Sequence, residues 1–258
     1  KKSLGQNFIT DKNFLEKISK SVPSDENTNI IEIGPGKGAL TNYLAKKKFK
    51  SLLLIEKDIE LIEELKKKFN DKTIKIINED ALKIDFEKLN LNSDAIIVGN
   101  LPFNISTQLL FKWLEVHKWP PFYKRMVLMF QKEVADRIMS PINNKNYGRI
   151  SVAAQARCKI RKVLTAPSHI FKPIPKVDGA ILDFEPCTDY LELDFAILQR
   201  ILKEAFSQRR KKIKKNLSNY INLIKDLNID ENLRAENLSV KDYCNISLAL
   251  NKRSSLLN

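Results

Sequence analysis

Ile31-Glu32-Ile33-Gly34-Pro35-Gly36-Lys37-Gly38 is the stretch that decides the fold of this 258-residue chain. Its first residues end an apolar run, and its three glycines allow the backbone to turn sharply before a predicted helix. In open α/β sheets, a strand that passes through a glycine-rich turn into a helix binds the polar part of a nucleotide-like ligand. The stretch therefore predicts a parallel α/β sheet with a cofactor at its carboxyl edge.

Apolar runs alternate with helical patterns through the first two-thirds of the chain. Strands separated by helical patterns of about 10–15 residues are typical of βαβ units. The fold class predicted is therefore α/β, with a doubly wound, mostly parallel, seven-stranded sheet. The strands are predicted at residues 29–33, 51–56, 73–78, 94–99, 126–131, 157–164 and 179–184, and helices at 39–47, 59–69 and 107–116.

The pattern changes after Pro186. Helical spacing of apolar residues begins at Phe195, and further helices are predicted at residues 220–227, 231–238 and 240–250. We therefore predict two domains, a cofactor-binding domain over residues 1–186 and a small all-α domain over residues 187–258.

Charge and composition limit the possible partners. The net charge of +14 comes from 45 basic and 31 acidic residues. Such an excess favours a polyanion such as nucleic acid, because neutralised phosphates release counterions; solubility in a lysine-rich proteome is the alternative. No apolar run is long enough to cross a bilayer, so we expect no membrane partner.

The cysteines and histidines leave little material for metal or His-dependent chemistry. Cys158, Cys187 and Cys244 form no C-x-x-C pair, and His117 and His169 are the only histidines. We expect no metal site, and free thiols in a reducing cytoplasm.

The spacing of the glycines separates two kinds of cofactor. A dinucleotide fingerprint has two residues between its second and third glycines, whereas this chain has one. Glu32, directly before the turn, disfavours a pyrophosphate and favours a cationic sulfonium or amino group. S-adenosylmethionine carries both cations.

Two carboxylates at later strand ends suit the rest of that cofactor. Glu56 ends the next predicted strand, where a carboxylate binds both ribose hydroxyls. Asp80 follows the third strand and is placed to accept from the adenine amine; a helix N-cap is an equally good interpretation of Asp80.

A second motif, Asn100-Leu101-Pro102-Phe103, follows the apolar run at residues 95–98. The Asn100 amide and the Leu101 carbonyl can accept from the two N–H groups of an adenine amine. Pro102 fixes the chain direction, and Phe103 offers a face for a flipped base. An ordinary turn with a core phenylalanine is the alternative. Beside the glycine turn, the motif predicts a methyltransferase acting on the exocyclic amine of a base.

Several blocks in one order resemble the small-subunit ribosomal RNA adenine dimethyltransferases, the KsgA family. They are Gly5-Gln6-Asn7-Phe8, the glycine turn, Asn100–Phe103, Phe130-Gln131-Lys132-Glu133-Val134-Ala135, Tyr147-Gly148-Arg149, Phe171-Lys172-Pro173-Ile174-Pro175-Lys176-Val177-Asp178, Phe206-Ser207-Gln208-Arg209-Arg210-Lys211 and Asn237-Leu238-Ser239-Val240.

The resemblance implies an enzyme that dimethylates two adjacent adenosines near the 3′ end of 16S rRNA within an assembling small ribosomal subunit, as a cytoplasmic monomer. It implies that an N-terminal arm closes over the cofactor and that Phe171 packs near the target base. Many members carry Tyr in place of Phe103. The cofactor site implied consists of Asn7, Ile9, Gly34, Gly36, Glu56, Asp80, Ala81 and Asn100.

A basic run in the helical domain is the predicted RNA contact. Six of the seven residues from 209 to 215 are basic, and clustering beside a base-modifying site favours binding to the rRNA backbone. The residues are Arg209, Arg210, Lys211, Lys212, Lys214 and Lys215. A solvated face is the alternative interpretation.

Two other functions remain open from the sequence. Macrolide-resistance methyltransferases of 23S rRNA share the chemistry, although the Pro-Lys-Val-Asp and Gln-Arg-Arg-Lys blocks favour the small-subunit family. A non-catalytic nucleic-acid-binding relative is the second alternative, against which Asn100, Glu56 and the glycines argue.

Overall fold

The computed structural model describes residues 7–89 and 94–255. Its main sheet has seven strands in the order β4-β3-β2-β5-β6-β9-β7. The first four neighbouring pairs are parallel, and β9 runs antiparallel to β6. The predicted α/β fold with a mostly parallel seven-stranded sheet is confirmed. The strands are β2 (Asn29–Ile33), β3 (Ser51–Glu56), β4 (Ile74–Asn78), β5 (Ala95–Gly99), β6 (Tyr123–Gln131), β7 (Cys158–Ala166) and β9 (Gly179–Pro186).

Two short strands that the sequence pattern did not indicate form a separate sheet. β1 (Phe8–Ile9) pairs antiparallel with β8 (Phe171–Lys172), with Phe8 opposite Lys172 and Ile9 opposite Phe171. Two residues are too few for an alternating hydrophobic pattern to show.

Three of the described helices begin at an aspartate cap. Asp11, Asp58 and Asp194 each precede a helix, and each accepts a hydrogen bond from a backbone N–H of the first turn. The helices are α1 (Lys12–Ser21), α2 (Thr41–Leu44), α3 (Ile59–Lys68), α4 (Ser106–Leu114), α5 (Lys132–Ile138), α6 (Arg149–Arg157), α7 (Phe195–Ala205), α8 (Ile213–Asn216), α9 (Ile221–Asp226) and α10 (Val240–Ser255).

Some predicted helices differ from the observed ones. The helix predicted at 231–238 is wrong, because only a 3₁₀ turn at Ala235–Asn237 forms there. The helix predicted at 39–47 is observed only as the single turn of α2. The sequence analysis did not indicate α1, α5 or α6.

The register of the parallel strands brings the site residues to one edge of the sheet. Ile33 lies opposite Ile55, and Glu56 lies opposite Asn78. The segments that follow β2, β3 and β4 therefore start side by side at the carboxyl edge. Nearly all residues of β2, β3 and β5 are buried, which fixes this register.

The chain forms two compact units. The first comprises residues 1–135 and 160–186, and the second comprises residues 136–159 and 187–258. In the second unit, α6, α7 and α10 pack on one another. The chain passes from the first unit to the second after Pro186, within the region where the sequence predicts a boundary. Residues 136–159, however, belong to the second unit, whereas the predicted first domain was the contiguous segment 1–186. This division depends on the packing of α6, which contacts α7 and α10 much further along the chain.

Candidate active site

A cavity of about 210 Å³ opens at the carboxyl edge of the sheet in the first unit. Its walls come from the arm at β1 and from the segments that follow β2, β3, β4 and β5. It is lined by Asn7, Phe8, Ile33, Gly34, Gly36, Ile55, Glu56, Lys57, Glu79, Asp80, Ala81, Leu82, Asn100, Leu101, Pro102, Phe103, Asn104 and Ile105. The sequence motifs, far apart in the chain, thus meet around one space.

The glycine turn has a backbone that only glycine adopts readily. Gly34 and Gly36 have φ values of 66° and 58°, in the left-handed region. A Cβ on Gly36 would also lie 2.7 Å from a ring carbon of Phe8. The turn therefore leaves room for the arm to lie directly on it.

Glu56 is held rigidly at the cavity wall. One carboxylate oxygen accepts from the Gly36 N–H at 3.1 Å, and the other accepts from the N–H groups of Lys57 and Asp58 at 2.9 Å each. The residue is 5% exposed. A carboxylate has about four acceptor positions, so these three bonds leave capacity for a ligand hydroxyl.

Asp80 is ionised and anchors its own loop. Its carboxylate contacts the Lys57 ammonium at 2.8 Å and accepts from the Leu82 N–H at 3.0 Å. The hydrogen bond to Lys57 is the main cause that lowers the pKa of Asp80. The segment after Asp80 is a turn and not a helix, so the helix N-cap interpretation does not hold.

Glu32 does not line the cavity. It is 2% exposed and accepts from the Thr41 hydroxyl at 2.7 Å. Its pKa is raised to about 8, mainly by burial and to a smaller extent by the charge of Glu56, while the hydrogen bond from Thr41 opposes the rise. Glu32 is therefore mostly neutral at pH 7, which corrects the expectation that its charge attracts a cationic cofactor.

The cavity is nevertheless acidic. Glu56, Glu79 and Asp80 line it, and Lys57 supplies the basic group opposite Asp80. Carboxylates grouped around a partly enclosed space favour a cationic ligand. The excess negative charge of the cavity thus comes from residues that follow the next two strands, and not from Glu32.

Asn100 connects the catalytic motif to the arm. Its side-chain nitrogen donates to the Asn7 carbonyl at 2.9 Å, which orients the amide and directs the Oδ1 atom elsewhere. The Pro102 carbonyl then accepts from Ile105 and Ser106 as α4 begins. Phe103 is half-buried and packs against the core while lining the cavity.

Ile9 and Phe171, two of the predicted site residues, lie in the hydrophobic core and do not line the cavity. They are 4% and 2% exposed, lie opposite each other in the two-stranded sheet, and belong to the hydrophobic core. Thr10 fastens the same segments by donating twice to the Ile170 carbonyl. Phe171 thus occupies a core position and does not line the cavity.

The basic run lies in the second unit as a turn followed by α8. All six basic side chains are exposed. Arg209, however, pairs with Glu236 at 2.8 Å and donates to the carbonyls of Lys145 and Tyr147. Lys212 and Lys214 approach the Asn232 side-chain oxygen at 3.4 and 3.0 Å. Arg209 therefore has a structural role that the sequence did not indicate.

Metal binding and membrane spanning both lack a candidate element among the described residues. Within residues 7–89 and 94–255, no three His, Cys, Asp or Glu side chains are grouped as metal ligands would be. In the same part of the chain, no helix combines the length and apolar character needed to cross a membrane.

Comparison with known proteins assigns the chain to a family. The family model described as ribosomal RNA adenine dimethylase matches residues 1–252. The chain belongs to the ribosomal RNA adenine dimethylase family. It is therefore a methyltransferase that uses S-adenosylmethionine, and the dinucleotide alternative is excluded.

Curated relatives of this adenine dimethylase are similar over almost their full length. Ribosomal RNA small subunit methyltransferase A from Pelagibacter ubique is 44% identical over 248 residues, which cover 94% of each chain. The protein of that name from Mycoplasma mobile is 40% identical over 249 residues, covering 94% of this chain and 95% of the relative.

Solved structures agree on the fold of this adenine dimethylase. A dimethyladenosine transferase from Plasmodium falciparum superposes with a TM-score of 0.82 at 25% identity, covering 96% of this chain and 98% of that one. The 23S rRNA methyltransferase ErmE gives a TM-score of 0.69 at 20% identity, covering 95% of this chain and 100% of that one. At this identity the likeness supports the fold and nothing more.

The cavity of this adenine dimethylase fits its cofactor. Glycine backbone at the turn permits close approach of a ligand, and the excess of carboxylates over basic groups in the lining suits a cofactor that carries sulfonium and ammonium charges. Glu56 has acceptor capacity left for a ribose hydroxyl.

Proposed function

We propose that this chain dimethylates two adjacent adenosines near the 3′ end of 16S rRNA in the assembling small subunit, as a cytoplasmic monomer. The proposal assigns the cofactor to Asn7, Gly34, Gly36, Glu56, Asp80, Ala81 and Asn100, with Ile9 behind them. It assigns the target base to the segment Asn100–Phe103.

One observation carries the proposal: the acidic cofactor wall and the Asn100–Phe103 segment line the same cavity. A methyl donor and a base amine held in one small space are the reactants of an in-line displacement. Positioning and electrostatics account for most of the catalysis of such a step.

The residues around the amine explain how the reaction proceeds. S-adenosylmethionine supplies an electrophilic methyl group when it is bound. The Asn100 oxygen and the Leu101 carbonyl accept from the two adenine N–H groups and make the nitrogen more nucleophilic. Phe103 stacks on the base, which has left the RNA stack. These residues would hold the amine nitrogen in line for the methyl transfer, and the proton that the amine loses would pass to solvent.

The relatives support the substrate assignment. Proteins 40–44% identical to this chain are named ribosomal RNA small subunit methyltransferase A. The exposed basic residues of the second unit are suited to phosphates of a large RNA, which a free adenosine lacks.

The test is transfer of labelled methyl groups to purified ribosomal particles from a strain that lacks the enzyme. Small subunits should accept about two methyl groups on each of two adenosines, mapped by mass spectrometry of the 16S fragment. Incorporation into 23S rRNA instead would favour the macrolide-resistance alternative. Cofactor binding by calorimetry without any transfer would favour a non-catalytic protein.

A further inference from the structure

An exposed apolar side chain stands on a lysine-flanked loop of the first unit. Ile174 is 69% exposed and Val177 is 44% exposed. Lys172 and Lys176, on either side of Ile174, are also exposed. A single exposed apolar residue is common, but this grouping combines apolar and cationic contacts in six residues.

The loop has a fixed conformation. Pro173 and Pro175 restrict the backbone on both sides of Ile174. Asp178 closes the loop, because its side chain accepts from the Ser168 N–H at 2.8 Å and its carbonyl accepts from the Lys132 N–H at 2.9 Å. Ile174 is therefore presented to solvent by a preorganised turn.

The loop starts beside the cavity. Lys172 lies opposite Phe8 in the two-stranded sheet, and Phe8 lines the cavity. Ile174 is two residues further on, so its Cα lies at most about 7 Å from that of Lys172. The exposed isoleucine thus stands next to the arm that covers the glycine turn.

We propose that Ile174 packs against an RNA base adjacent to the target adenosine, while Lys172 and Lys176 contact phosphates of the same RNA strand. This inference rests on the proposed function, because an adenosine that enters the cavity must leave its stack. Apolar side chains such as Ile stabilise unstacked neighbours in that situation, and lysines supply the sequence-independent attraction. Phe171, at 2% exposure, is buried behind the loop and supports it from the core.

The test compares Ile174→Ser with Ile174→Leu on small subunits purified from a strain lacking the enzyme. Particle binding and methyl transfer are measured separately. We expect Ile174→Ser to weaken particle binding and raise the KM for particles on the order of tenfold. Cofactor affinity by calorimetry and the Tm should stay at the wild-type values, and Ile174→Leu should behave like the unaltered protein.

A matched control removes an exposed isoleucine elsewhere in the same unit. Ile59 is 57% exposed at the start of α3, and Ile59→Ser should leave particle binding unchanged. Equal particle binding by Ile174→Ser and wild type would overturn the inference. So would a loss in Ile174→Ser that is matched by an equal loss of cofactor affinity. Absence of transfer by the unaltered protein contradicts the proposed function instead, and the binding comparison still decides the role of Ile174.

The lysines give an independent measurement. Lys176→Gln should lower the slope of log affinity against log salt by about one unit, as expected for one lost phosphate contact. Lys66→Gln, which removes an exposed lysine of α3, is the charge-matched control. Equal slopes for the two variants would contradict a phosphate contact at Lys176.

Discussion

The Asn100 side-chain nitrogen donates to the Asn7 carbonyl at 2.9 Å, although the two residues are 93 positions apart in the chain. This bond fixes which end of the Asn100 amide faces the arm. In the proposed function, the oxygen is then the atom presented to a substrate amine. Placement of the arm and orientation of the catalytic amide are therefore linked.

Asn100→Ala should lower kcat on the order of 10²-fold or more, because it removes an acceptor that acts on the amine in the transition state. Single-turnover methyl transfer to small subunits measures the effect. Asn70→Ala, at an exposed loop position, is the control and should keep wild-type turnover. Full activity of Asn100→Ala would refute the role assigned to Asn100.

Phe103 is expected to act through its ring face alone. Phe103→Tyr should keep turnover close to wild type because stacking is retained, whereas Phe103→Ala should lose on the order of 10²-fold. Both variants should be assayed with saturating cofactor. A Tyr variant as inactive as the Ala variant would contradict a role of Phe103 through its ring face alone.

Glu56→Ala should weaken S-adenosylmethionine binding by about 1–3 kcal/mol, because a polar pairing with the ligand is lost. The substitution also leaves the Gly36 N–H without its partner. Calorimetry measures the affinity. Glu64→Ala, an exposed position on α3, controls for the removal of a carboxylate and should bind like wild type.

Glu32 should make stability depend on pH. Its folded pKa of about 8 lies above its ordinary value of 4.5, so between these values the unfolded chain has lost a proton that the folded chain retains. Stability therefore falls as pH rises through this window, by at most about 1.4 kcal/mol per pH unit from this group.

Glu32→Gln should remove that dependence. Urea unfolding of wild type and variant at pH 5, 6.5 and 8 gives the comparison. The stability of the variant relative to wild type should increase from pH 5 to pH 8. A constant difference across the three pH values would show that Glu32 has an ordinary pKa.

The basic run should divide into two functional groups. Replacing Arg210, Lys211 and Lys215 together by Gln should lower the salt slope of RNA binding by about one unit per lost phosphate contact, with an unchanged Tm. Arg209→Gln should instead lower the Tm, because it breaks the contacts with Glu236 and the Tyr147 carbonyl. A salt slope unaffected by the triple substitution would identify the run as a solvated face.

The sequence by itself determined the strands and the chemistry at their ends. Buried parallel strands are nearly continuous apolar runs, so β2, β3 and β5 were predictable within one residue. Since parallel strands end at a common edge, the sequence also predicts that the glycine turn, Glu56, Asp80 and Asn100 lie close together.

Only the tertiary structure decided what depends on distant partners. Burial made Glu32 neutral, and it placed Phe171 in the core while leaving Ile174 exposed on the same short segment. Arg209 looked like its basic neighbours until its contacts with Glu236 were seen. The local pattern records residue type and spacing, but desolvation and pairing depend on residues that approach only when the chain has folded.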